Sequence, residues 1–244
     1  MRGDEVSELA TRPIYLLHDA AVLARMIGVE APCCAHVAMS TSGEATTFAS
    51  FVDGNPLSGG WAVDTESPGS RIVSWSGTLA EDHAFGDEPR TWMRAGQERF
   101  TAFLDEIAPA LHHHRRTLCF RPHHRHVLSD VHSSVKMLRD RAGGPFEVLL
   151  SPADLVAPSM LRDAEDHLVR MFAHLGPVAA GVLLADVRES ANTAESGLFD
   201  VVPFGQGRLP APLIARLIAE YVPPTTPMVL LPGDLAAQRA LLGL

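Results

Sequence analysis

Lysine is almost missing from this chain. Lys136 stands alone among 244 residues, and arginine carries the rest of the positive charge. With a formal charge of −9 and histidine neutral, no basic stripe is available to neutralise phosphates, which argues against nucleic acid as the main partner. No apolar run approaches the roughly 20 residues that cross a bilayer. The segment MRGDEVSELATR has no apolar core of the secretory type, so a cytoplasmic protein without a membrane partner is expected. Cysteine is scarce as well: Cys33, Cys34 and Cys119 lack zinc-type spacing, and reduced, buried thiols are the expectation. Charged residues at 20% and apolar residues at 46% fit an ordinary globular protein and exclude a disordered one. The length suits a single domain over 1–244.

What is present is a rhythm that sharpens along the chain. Residues 14–28, IYLLHDAAVLARMIG, place Leu16, Ala20, Leu23 and Ile27 at helical spacing and end at Gly28, which predicts a helix. CCAHVAM, 33–39, has the length of a short strand. From 41 to 90 the pattern dissolves into small and polar residues; GWAVDT and SRIVSWSG flank ESPG and read as a hairpin in a long insertion. Beyond residue 90 the alternation is regular. A helix over 91–111 carries Phe100, Phe103, Leu104 and Ile107 on one side; TLCF follows as a strand; Ser129 caps a helix that Gly143 and Gly144 close. The strand FEVLLS, a helix around 160–175, the strand AAGVLLADV, a GQG loop, the helix APLIARLIAEY, the strand PMVLL and a short terminal helix complete it. Apolar strands alternating with amphipathic helices imply a parallel sheet covered by helices.

Four pieces of this series resemble the xylose isomerase-like (β/α) barrels, the superfamily of sugar phosphate isomerases and epimerases and the endonuclease IV group. LARMIGVEAPCCAHVAMS is similar to that family's helix, turn and fourth strand with its histidine. FEVLLSPADL resembles its sixth strand, AGVLLADV its seventh, and VVPFGQGRLPAPLIARLI the following loop and helix. The resemblance implies an α/β fold, a TIM-like barrel incomplete or modified on its N-terminal side, because about 30 residues precede the segment similar to the fourth strand, with the hairpin segment around 41–90 inserted. An open edge would invite a homodimer, a partner subunit, or closure by that hairpin.

The resemblance also implies metal ligands at strand ends, where barrel active sites lie. His36 matches one. The expected Glu of the fifth strand is Arg121; the Asp and His of the sixth are Ser151 and Asp154; the His three residues before Asp186 is Leu183; the last Glu is replaced by leucine and proline, with Asp234 arriving late. An arginine where a cation would sit opposes it. A lost metal site and no cofactor are therefore expected.

Seven of the twelve histidines fall between 112 and 132. His112, His113 and His114 sit at a helix end and suit its dipole. His123, His124 and His126 follow the fifth strand and read three ways: a solvated loop, a general acid or base near Asp154 and Asp186, or a rebuilt metal site with His36. Arg121 either grips a carboxylate or phosphate or pairs with Asp154. Asp186 serves catalysis or caps the next turn. Gly205 and Gly207 bind an anion through their amides or form a plain turn. Trp61 and Trp75 read as a lid or as interface residues. Two functions follow. One is an isomerase, epimerase or lyase-like enzyme on a small oxygenated, carbonyl-bearing substrate, by metal-independent acid/base chemistry, in secondary metabolism. The other is a catalytically degenerate barrel acting as a binding or assembly subunit.

Overall fold

A computed structural model describes residues 12–28, 34–42, 46–63, 65–81, 83–189 and 198–244. Cys33 and residues 1–11 lie outside them. The run IYLLHD forms strand β1 (Ile14–Asp19), and helix α1 (Ala20–Ile27) begins only where the Asp19 carboxylate accepts the Val22 N–H at 2.8 Å. Gly28, at φ 72°, ends it in the left-handed region that glycine enters at no steric cost. The helix expected over 14–28 is thus half strand. β1 is flanked on both sides by ladders, and those long-range hydrogen bonds outweigh the local 3.6-residue spacing.

β2 (His36–Ser40) runs antiparallel to β1 and to β3 (Thr47–Phe51), while β4 (Arg71–Trp75) is parallel to β3. The expected hairpin in 41–90 is corrected accordingly: SRIVSW is a strand, but its partners are TFASF and TLCFR, and residues 61–63 are not in a strand. The signal was weak because both strands are five residues long and are joined by irregular chain. From there the order follows the sequence pattern: α2 (Arg94–His114), β5 (Thr117–Arg121), α3 (Val131–Asp140), β6 (Phe146–Leu150), the single turn α4 (Pro152–Leu155), α5 (Ala164–Leu175), β7 (Gly181–Arg188), β8 (Asp200–Pro203), α6 (Ala211–Tyr221), β9 (Met228–Leu230) and α7 (Leu235–Leu241). The cap of α3 is Asp130, one residue beyond Ser129, with a reciprocal bond to Ser133.

The strands close into a ring in the order β1, β2, β3, β4, β5, β6, β7, β9, and β9 returns to β1. β8 stands outside this ring, paired antiparallel with the end of β7. The barrel is therefore complete. Its N-terminal side is modified, by the reversed β2 and by the two strands that 41–90 supplies, and no partner chain is needed to close it. Along each strand alternate residues point inward. Leu17, Ala38, Val73, Cys119, Leu149, Leu183 and Val229 meet on the inside, while the helices cover a separate outer core that includes Phe100, Phe120, Leu168, Phe172 and Ile218. Below that layer Arg71 reaches Glu147 at 2.7 Å and lies over the Phe48 ring. Gly181 leaves room for this floor, since a Cβ there would come within 2.8 Å of Phe48. Among the described residues no helix is long and apolar enough to cross a membrane.

Candidate active site at the barrel mouth

Seven of the eight ring strands run the same way, so their C-terminal ends define one mouth. The reversed β2 brings its first residue there: His36 lies beside Asp19, the last residue of β1, and beside Phe51, the last of β3. His36 had been matched to the end of a fourth strand; it opens the second, and reversal alone carries it to the right end of the barrel.

A cavity of about 470 Å³ occupies this mouth. Leu17, Phe51, Val73, Trp75 and Leu231 form its apolar walls, and Asp19, His36, Asp53 and Arg121 contribute the polar groups. Strand order divides those groups. β1, β2 and β3 carry Asp19, His36 and the residues leading to Asp53, whereas β5, four places from β1 in a ring of eight, carries Arg121 on the facing wall.

Arg121 is tightly placed. Its Nε and Nη2 donate to the two oxygens of Asp154 at 2.5 and 2.9 Å, and its guanidinium carbon lies 4.2 Å from the ring centre of Trp75, its register partner on β4. Asp154 is buried on α4, just past the end of β6. The pairing alternative for Arg121 is the one the fold realises, and the ring and carboxylate together fix the guanidinium plane.

The histidine loop does not join this cavity. β5 ends at Arg121, and the chain turns, so His123 does not share the inward direction of Arg121 as a continued strand would require. His123 and His126 pack with Trp75 and Phe85, ring centres 4.9–5.7 Å apart, and neither lines the cavity. Both are buried. The Nε2 of His126 lies 2.8 Å from the Ala84 carbonyl, and His123 Nδ1 accepts the Arg125 N–H. Burial, with the neighbouring imidazoles, pushes His123 well below the usual histidine range, and burial takes His126 down to about 4. His124 stacks on His123 and approaches the Asp154 carbonyl through Nδ1. The solvated-loop reading is corrected for His123 and His126: this loop is a buried aromatic box, because TLCFRP ends against the 83–86 loop and not in water. His112, His113 and His114 do form the last turn of α2, which Arg115 ends in the left-handed conformation.

Asp186 is also withdrawn from the mouth. Its carboxylate accepts the N–H groups of Val187, Gly207 and Leu209, pinning the loop after β8. Gly207 is required by that approach, since a Cβ would lie 2.4 Å from the Asp186 oxygen. Its amide is therefore engaged, and Gly205, at φ 82°, is a turn residue against Leu241. Of the eight candidate residues, His36 and Arg121 line the cavity; His123, His124, Asp154, Asp186, Gly205 and Gly207 do not. Trp61 packs edge-on against Phe103 and donates to the Asp53 carbonyl, so only Trp75 of the tryptophan pair reaches the mouth. Sequence reasoning missed Asp19 and Asp53. Asp19 would have been found had IYLLHD been read as a strand ending in a carboxylate.

A divalent cation fits this donor set poorly. Among the described residues no group of three or more His, Cys, Asp or Glu converges, a guanidinium occupies the β5 wall, and Leu183 sits in the barrel interior.

No family model and no curated protein matches the chain. Among solved structures the barrel is similar to a D-psicose 3-epimerase studied with D-fructose, at 15% identity over 70% of this chain and 54% of that one, TM-score 0.45. It is similar to a xylose isomerase-like TIM barrel protein from Mycobacterium smegmatis in complex with magnesium, at 12% identity over 71% and 60%, TM-score 0.47. An L-ribulose 3-epimerase gives 12% identity over 70% and 53%, TM-score 0.46. The chain thus spans little more than half the length of these proteins. The likeness to these proteins, at low identity, is one of fold.

Proposed function

We propose that the mouth cavity is the active site of an isomerase or epimerase-like enzyme that moves a proton beside a carbonyl of a small oxygenated substrate, without routing the step through a metal. One observation carries this reading: an imidazole, His36, with no hydrogen-bond partner among the described residues, faces across one cavity a guanidinium already fixed in position. His36 takes the proton from the carbon next to the carbonyl, and the electron pair moves onto the carbonyl oxygen. Arg121 stabilises that oxyanion with donors that need no reorganisation. The imidazolium then returns the proton, to the same carbon or its neighbour, and the carbonyl re-forms. The apolar floor of Leu17, Val73 and Leu231 keeps water from the carbanion.

The test is exchange. Incubating the protein in D2O with small hydroxy-aldehydes, hydroxy-ketones and hydroxy-carboxylates should replace a carbon-bound hydrogen by deuterium in one compound class, read by NMR. His36→Gln should slow it on the order of 100-fold or more. Exchange unaffected by this substitution would remove His36 from the mechanism. The second reading, a barrel that binds or assembles without catalysis, is favoured by the number of candidate groups consumed structurally, Asp154 and Asp186 above all; absence of exchange with retained ligand binding would establish it.

A further inference from the structure

Resting on the reading of the mouth as an acid/base site, we infer that its ligand is a singly charged hydroxy-carboxylate, its carboxylate on Arg121 and its hydroxyls toward the Asp19, His36 and Asp53 wall. A guanidinium has two bidentate edges. Asp154 takes the one formed by Nε and Nη2, and Nη1 makes no hydrogen bond among the described residues. The second edge, Nη1 with the other Nη2 hydrogen, remains for another planar two-oxygen acceptor, the geometry a carboxylate matches. Arg121's side chain keeps 15% of its exposure and Asp154 only 2%, so the exposed part of the pair is the guanidinium in the cavity lining.

Charge limits what can bind. The Arg121 charge is partly offset by Asp154, and Asp19 and Asp53 line the far side. One negative charge placed at the free edge is nearer the guanidinium than any carboxylate; a second is met mainly by repulsion. A phosphate dianion is therefore disfavoured. The acidic wall accepts hydrogen bonds and so suits hydroxyl donors on the rest of the molecule.

The experiment compares three six-carbon chains that differ only at one end: gluconate, sorbitol and sorbitol 1-phosphate, titrated into the full chain by calorimetry or ligand-observed NMR. Gluconate should bind at least 10-fold more tightly than either of the others. Arg121→Met combined with Asp154→Asn, which leaves no buried charge uncompensated, should abolish the preference. Asp19→Asn should narrow the gap to sorbitol 1-phosphate. Equal or tighter binding of the phosphate, or a preference that survives the double substitution, overturns the inference. If sorbitol equals gluconate while deuterium exchange at the mouth persists, the carboxylate assignment fails and the acid/base reading stands; if none of the three binds and no exchange occurs, both fail.

Discussion

The histidine chemistry of this protein falls into two regions, both bordered by Trp75. In one His123 and His126 pack with Phe85, buried and held neutral; in the other, His36 stands in a cavity lined by two carboxylates and a fixed guanidinium. The crowded region holds the fold and the sparse one offers the chemistry. The density of imidazoles in a sequence therefore says less about a site than what each ring is packed against. A buried ring in an aromatic box loses its proton through desolvation, and with it the ability to donate and accept in turn.

The largest effect that sharpens this contrast lies in the Arg121–Asp154 clamp against the tryptophan. Arg121→Leu leaves the buried Asp154 carboxylate uncompensated and should cost about 3–5 kcal/mol in urea unfolding, whereas Arg121→Leu with Asp154→Leu should regain most of it. His36→Ala should change stability by less than about 1 kcal/mol, because it removes a half-buried side chain without a hydrogen bond among the described residues. A large loss for His36→Ala would mean that it belongs to the structural set after all.

Next comes pH. The folded state holds His126 at about 4, against 6.5 for an ordinary histidine. As pH falls the unfolded chain takes up this proton first, so stability is intact above about 6.5 and is lost down to about 4. The total from this group is about 3 kcal/mol, and His123 acts in the same direction. His126→Phe, which keeps a ring against Phe85 but cannot titrate, should flatten that acid limb. An unchanged slope between pH 6.5 and 4 would show that the box is not held neutral as described.

A smaller effect concerns Cys119, whose thiol is pushed well up by burial inside the barrel. It should resist thiol reagents in the native protein and react only on unfolding. Fast native labelling at Cys119 would mean that the barrel interior opens to the mouth.

Much of the framework was legible in the sequence, and unevenly so. β5, β6, β7 and β9 announced themselves as apolar runs between amphipathic helices, because strands buried on both faces need such runs. β1 was masked by its continuation into α1, where Leu16, Ala20 and Leu23 fall at helical intervals across a strand boundary that only pairing with β2 and β9 creates. β3 was missed and β4 was read only as one arm of a hairpin, because five-residue strands joined by irregular chain give no sign of which strand each will pair with. At the site, His36 and Arg121 were both picked out. The direction of β2, which puts His36 at the mouth, is a tertiary property with no local signature. Asp154 and Asp186 looked catalytic as carboxylates near strand ends; what each bonds to, a guanidinium in one case and three backbone amides in the other, could be seen only in three dimensions.

The most direct measurement is an NMR spectrum of the histidine side chains with the binding compound added stepwise. The His36 ring resonances should shift in proportion to occupancy, while those of His123 and His126 stay near their unliganded positions. Saturable shifts at His123 and His126 with a silent His36 would place the chemistry in the histidine-rich loop and contradict the assignment of the site to the barrel mouth.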